Sequence, residues 1–247
     1  MQLQDIWGKV NVQNGDLQLD HLHLKTLAAN LDASLTYTAN DSQKANLDFQ
    51  FYLTEIEMGK LGEFLPVLDS VVPSAHAFEG KADFRIKGKV DLTETLDFDL
   101  KTLRGVAAMK AKDIMVLDGP TFRELAKTFM FKSKEKNPVT NLELEMEFEE
   151  DDVKILPALL EIDRYRLALG GKQYFDKSYE YHISVLKSPV PFKTGVDVSG
   201  QDFDNYDISV AHAKYKYYFT DKERLLKKAD SSIIKDKARI LAELDYQ

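Results

Sequence analysis

The stretch KADFRIKGKVDL, residues 81–92, alternates in polarity with almost no error. Ala82, Phe84, Ile86, Val90 and Leu92 share one parity, while Asp83, Arg85, Lys87, Lys89 and Asp91 share the other. Successive side chains of a strand leave opposite faces, so such a segment has one apolar and one wetted face. The pattern recurs in Leu31, Ala33, Leu35, Tyr37 and Ala39, and again in Leu47, Phe49, Phe51 and Leu53 after the polar turn ANDSQK. Two such runs joined by a short turn read as an antiparallel hairpin. Leu96, Phe98 and Leu100 follow, then Leu142, Leu144, Met146 and Phe148 alternating with Glu143, Glu145, Glu147 and Glu149. Tyr181, Ile183 and Val185, then Val196 and Val198, then Tyr206, Ile208 and Val210 continue it. Roughly ten to twelve strands of ordinary length are expected. Parity breaks between Leu19 and Leu22, which predicts a bulge near Asp20 and His21.

Two internal segments change period from two to 3.6. DGPTFRELAKTFMFK places Phe122, Leu125, Ala126, Phe129 and Met130 on one helical stripe, with Pro120 in the first turn and Thr121 and Glu124 as a capping box. EIEMGKLGEFLPVLDSVV places Met58, Leu61, Phe64, Leu65 and Leu68 similarly, although Gly59, Gly62 and Pro66 make it short or irregular. From Thr220, with Glu223 three residues on, Leu226, Ile233 and Ile240 recur seven apart. The chain therefore divides into a β-rich domain, 1–219, and a C-terminal amphipathic helix, 220–247. That helix is expected either to pack on the domain or to offer Leu226, Ile233 and Ile240 to an envelope protein partner or a bilayer surface.

At 247 residues the chain can bury a sizeable core. Its 41 acidic against 33 basic residues give a net charge of −8, the wrong sign for a phosphate-backbone surface, so no nucleic-acid partner is expected. Cysteine is absent, which removes disulfides, thiolate catalysis and cysteine-ligated zinc. No run approaches the ~20 apolar residues of a membrane-spanning helix, and MQLQDIWGKV is unlike a signal peptide. The sequence is that of a cytosolic protein or of part of something longer.

The motifs of chemistry are weak. His21 and His23 are spaced to share a strand face, but a third metal ligand at recognisable spacing is missing, and two surface histidines are the simpler account. His76, His182 and His212 are isolated. The row Glu143 to Glu149, continued by Glu150, Asp151 and Asp152, fits the solvated face of a strand better than a cation site. LGGKQYF lacks the earlier glycine and the hydroxyl residue of a phosphate-binding loop, and neither GxGxxG nor GxSxG occurs. The expectation is a protein that is not an enzyme, with no catalytic residue, cofactor or metal.

Three stretches carry a resemblance: MKAKDIMVLDGPTFRELAKTFMFKSKEKNPVTNLELEME, KILPALLEIDRYRLALGGKQYFDKSYEYHISV and KSPVPFKTGVDVSGQDFD. Together they resemble the C-terminal region of AsmA-family proteins of the Bacteroidetes type, over about residues 78–215. The resemblance implies a periplasmic protein held by an N-terminal membrane helix absent from this chain. It also implies an elongated β-groove of the bridge-like lipid transfer type, acting in outer-membrane lipid homeostasis.

The residues themselves fit such a fold: mainly β with a few helices, an antiparallel, strongly curved sheet too large for those helices to cover. An open groove lined by Phe84, Ile86, Val90, Leu92, Leu96, Phe98, Leu100, Leu142, Leu144, Met146 and Phe148 is expected to hold phospholipid or another acyl lipid. The expected function is non-catalytic lipid binding or bridge-type transport in the cell envelope, supporting outer-membrane assembly. The alternative is a β-rich structural or protein-interaction domain whose apolar faces form a closed core. A transmembrane barrel is a third reading, disfavoured by the intervening helices.

Overall fold

Among the described residues, every strand pairs with the strand next to it in sequence. A computed structural model describes residues 3–26, 29–39, 45–60, 78–116, 137–189, 194–202 and 204–245, together with 123–125, 127 and 129. Twelve strands form one antiparallel sheet in the order β1 to β12. They are β1 (Leu3–Gln13), β2 (Asp16–Thr26), β3 (Asn30–Ala39), β4 (Ala45–Glu57), β5 (Phe78–Leu92) and β6 (Phe98–Val116). The second half comprises β7 (Asn137–Glu149), β8 (Asp152–Ile162), β9 (Tyr165–Tyr174), β10 (Tyr179–Lys187), β11 (Gly195–Gly200) and β12 (Tyr206–Ala211). The protein is thus mainly β, as the alternation dictates. Among the described residues no helix is long and apolar enough to cross a membrane.

Turn chemistry sets the register. Asn14 and Gly15 both have positive φ, 53° and 89°, and close the first hairpin between Gln13 and Asp16. That is the two-residue turn whose twist matches paired strands. The parity break is a bulge: the β2–β3 register shifts between Leu19 and Leu22, and His21 has φ 51°. The resulting half-turn returns Leu22 and Leu24 to the face already occupied by Leu17 and Leu19.

Three expectations are corrected. Leu96 is not a strand residue: it lies in the β5–β6 turn with φ 64°, its amide bonded to the Thr93 carbonyl. Opposite Val90, strand β6 carries several extra residues, since Asp91 pairs with Asp99 but Lys89 with Arg104. Thr102 Oγ1 spans the gap, accepting from the Asp91 amide and donating to the Asp99 carbonyl. This excursion moves the core-facing parity of β6 from even to odd, onto Leu103, Ala107, Met109 and Ala111. Strand β4 runs to Glu57, and where the helical stripe is expected to begin, Met58–Lys60 form only one 3₁₀ turn. The remainder of that proposed helix, and Phe122, Ala126 and Met130 of the second, lie outside the described residues; residues 123–125 and 127 are helical.

The C-terminal region is also shorter in helix than its period predicts. Instead of one helix from Thr220 there are two, α1 (Glu223–Leu226) and α2 (Ser231–Asp245). Lys222 precedes α1 with no side-chain cap, whereas Asp230 Oδ1 accepts the Ser232 amide and caps α2. That hydrogen bond holds the Asp230 carboxyl below its ordinary pKa.

Helix α2 lies on the wetted side of the sheet. Ile240 and Leu244 pack with Val106, Ala108 and Leu156 in a second, small core. Around it Lys237 pairs with Glu145 at 2.9 Å and donates to the Pro157 carbonyl at 2.8 Å, Arg239 meets Glu147, and Arg85 meets Asp245 at 2.7 Å. The glutamate row is therefore not uniformly solvated: Glu143 and Glu149 are exposed, but Glu145 is buried and Glu147 half-buried. Of the residues expected to seek a partner, Ile240 is sealed against the sheet, and Leu226 and Ile233 are half-buried. The large apolar residues that α2 leaves exposed are Ile234 and Leu241.

Removing one member of a buried pair strands the other's charge, whereas removing both does not. Lys237→Met is expected to destabilise the chain by ~1–3 kcal/mol in urea denaturation, with much of the loss restored in Lys237→Met/Glu145→Leu.

Candidate functional site

Direct cross-strand partners share a sheet face, so the pairings show which apolar residues stand together. Leu53, Phe84, Met109 and Leu144 form one row across β4 to β7. Phe51, Ile86, Ala107 and Met146 form the next. Phe49, Gly88, Gly105 and Phe148 form a third, at which the backbones of β5 and β6 approach closely. A Cβ on Gly105 would lie 2.3 Å from the Lys87 carbonyl oxygen. Only glycine fits there, and the Phe49 ring packs over Gly88, where a side chain would otherwise stand.

Of the eleven lining candidates, Phe84, Ile86, Val90, Leu92, Leu142, Met146 and Phe148 are buried in one cluster. Leu100 and Leu144 are half-buried and pack against it. Leu96 and Phe98 are exposed at the β5–β6 turn, away from the buried part of the face. The same cluster runs on to Val153, Ile155, Tyr165, Leu167, Tyr179, Ile183, Val196 and Val198. Phe129, whose ring lies 5.9 Å from Tyr165, is buried in it, and its carbonyl accepts from the Tyr165 hydroxyl.

Burial along this face is graded. It is nearly complete in the middle strands, with Phe84 2% exposed. Toward one edge Leu31, Leu35 and Tyr37 of β3 are half-buried, and on β1 Val10 and Val12 are 59% and 66% exposed. Val10 and Val12 pair with Leu19 and Leu17, so they continue the apolar face. Toward the other edge Val210 of β12 pairs with buried Val196 yet is 73% exposed. One apolar surface is thus covered in the centre and bare at both edges.

The opposite face holds a polar cluster. His182 stands directly across from Asp197, and Nδ1 lies 2.5 Å from Asp197 Oδ1. On the other side of the ring, Nε2 is 2.9 Å from Ser184 Oγ and accepts the Lys214 amide at 3.1 Å. Ser184 Oγ accepts the Tyr215 amide at 2.9 Å, and Lys214 Nζ reaches Asp197 at 3.1 Å. Gly195 makes room for the ring: a Cβ there would lie 2.4 Å from His182 Cε1.

Serine, histidine and aspartate in this order invite comparison with a hydrolytic triad. The surroundings forbid that chemistry, because Ser184 is 0% exposed and its oxygen is engaged by a backbone amide. Burial lowers the His182 pKa against the opposing pull of Asp197. Burial would raise that of Asp197, but hydrogen bonds from His182 and Lys214 outweigh it and hold the carboxylate below its usual range. The pattern is that of a buried connector between the sheet and the segment after β12.

Sequence reasoning missed this cluster. Its one local signal is the spacing of His182 and Ser184, which places both on one strand face; Asp197 joins them only through the β10–β11 register. His21 and His23 do not converge: His23 meets Asp32 at 2.7 Å and stacks on Trp7, while His21 is exposed in the bulge. Among the described residues no group of three or more side chains could hold a metal.

No protein-family model matches the chain, and no curated protein or solved structure matches it.

The exposure gradient predicts two different outcomes for one substitution. Phe84→Asp buries an unpaired charge and is expected to cost on the order of 3–5 kcal/mol, whereas Phe98→Asp at 46% exposure is expected to cost under about 1 kcal/mol. Chemical denaturation of the two variants reads the difference directly.

Proposed function

We propose that the protein binds acyl lipid along the apolar face of its sheet, without covalent chemistry, as part of lipid handling in a cell envelope. The observation that carries this reading is the bare continuation of the face at Val10 and Val12 on one edge and at Val210 on the other. Single exposed apolar side chains are ordinary, but a contiguous apolar surface left bare marks a ligand or interaction site more often than a closed core. An acyl chain lying on it would remove that surface from water at about 25 cal/mol per Å². The proposed shape is a curved sheet whose trough is open at its edges. Phe84, Ile86, Val90, Leu92, Leu142, Met146 and Phe148 form its floor, and Leu100 and Leu144 its flank.

The resemblance of residues 78–215 to the AsmA family supports the same reading. On it, the chain belongs to the C-terminal part of a periplasmic bridge-like lipid transfer protein that is anchored elsewhere by a membrane helix. The exposed Ile234 and Leu241 of α2, rather than Ile240, are then the residues available to an envelope partner.

The near-complete burial of Phe84, Met146 and Phe148 favours a second reading, a structural or protein-interaction domain with its own closed core. Native mass spectrometry of the purified chain separates the two. The lipid reading expects co-purified phospholipid, and a loss of more than half of it in Val10→Asp/Val12→Asp with the melting temperature unchanged. A chain free of lipid, or one whose lipid is indifferent to both substitutions, supports the closed core.

A further inference from the structure

Beyond strand β12 the chain turns back across the wetted face of β9 to β11 before it reaches α1. Residues 212–219 form this strap, and its contacts with the sheet converge on one imidazole. The Lys214 amide donates to His182 Nε2, the Tyr215 amide to Ser184 Oγ, and Lys214 Nζ to Asp197. The Tyr215 ring stands edge-on to His182 at 5.2 Å, over the space left by Gly170.

The geometry fixes the protonation state of the ring. A backbone N–H can only donate, so Nε2 must present its lone pair to Lys214. The ring proton is then on Nδ1, donated to Asp197, and the imidazole is neutral. A proton added at Nε2 would face the Lys214 N–H donor to donor. Ser184 could turn its hydroxyl to accept from the cationic ring, but the Lys214 amide has no such alternative.

We propose that residues 212–219 are a pH-sensitive strap, latched to the sheet by neutral His182 and released when that ring is protonated. The charged and titratable groups around the ring are Lys172 of β9, Glu180 and Tyr181 of β10, Asp197 of β11, and Lys214 and Tyr215 of the strap, whose first residue, His212, is exposed and brings its backbone carbonyl to Gly195 beside the ring. Lys172 is held by Asp152 at 2.5 Å, and Asp197 stays ionised through its bonds to His182 and Lys214, so among the groups that bond the strap to the sheet His182 is the one that changes charge under mild acid.

The sign follows from burial, which lowers the ring's pKa in the docked state below its ordinary value of 6.5. With the strap undocked the ring regains water while keeping Asp197 opposite, so its pKa rises from the depressed docked value. Docking is therefore at full strength above the undocked pKa and weakens as pH falls from there toward the docked one. Release uncovers Ser184 and the wetted face of β9 to β11. This inference is independent of what the apolar face binds.

Hydrogen exchange of individual amides on the whole chain, corrected for intrinsic rates, tests it between pH 7.5 and pH 5. The Lys214 amide is expected to lose at least about tenfold protection relative to the Ile240 amide of α2, in step with titration of His182 followed by ring ¹⁵N shifts. His182→Asn, which cannot titrate, is expected to abolish the difference between the two pH values. Should that variant fail to fold, Asp197→Asn removes the charge that favours the imidazolium and should move release to lower pH. Equal loss at Lys214 and Ile240 would mean global unfolding and overturn the latch. Unchanged protection at Lys214 while His182 titrates would overturn it as well.

Discussion

Hydrogen bonding between sequence-adjacent strands, with one apolar face kept in phase across twelve of them, is the constraint on which everything else depends. A single slip of register would turn a whole strand's apolar set into water. The chain guards against this with turns and bulges placed where parity would otherwise be lost. The Asn14–Gly15 hairpin, the bulge at His21 and the excursion opposite Val90 all serve the same face. Once the phase is kept, the rows of Phe84 and Met146 assemble without further instruction, and the charged parity is left to receive α2 and the strap.

The two faces are stabilised by different physics. The apolar face is a broad cluster whose members are interchangeable to a degree, since burial is non-directional. On the wetted face Lys237, Arg239 and Arg85 tie α2 down through carboxylates, and one histidine ties down the strap. Directional contacts of that kind are sensitive to single atoms and to protons. On the proposed function the apolar face takes a ligand of variable shape, and on the proposed latch the polar face supplies the control.

Legibility followed the range of the interactions. The strands around Phe84, Phe51 and Met146 could be read because alternation is a local signal that survives any tertiary context. Leu96 misled because its parity matched Phe98, while its positive φ placed it in a turn that parity does not report. The glutamates were misread because the sequence shows a row of four carboxylates but not that Lys237, some ninety residues away, covers one of them. The His182 cluster needed the β10–β11 register before Asp197 could be seen as its partner. Thr220 and Glu223 form the pattern of a capping box, but helix α2 starts at Ser231, after Asp230, whose carboxylate holds the Ser232 amide.

The order of the strands also bears on how the chain folds. Each new strand of a meander needs only the one before it, so the sheet can grow hairpin by hairpin behind the ribosome, with longer connections to close only after β4 and β6. Helix α2 obeys a different rule: Asp245 meets Arg85 across 160 residues of chain, and the helix docks only where β5 to β8 are already assembled. The helix is thus the last piece to arrive. Until it docks, Glu145 and the Val106, Ala108 and Leu156 patch are wet, and a nascent chain that stalls before residue 231 has a complete sheet without its outer lock.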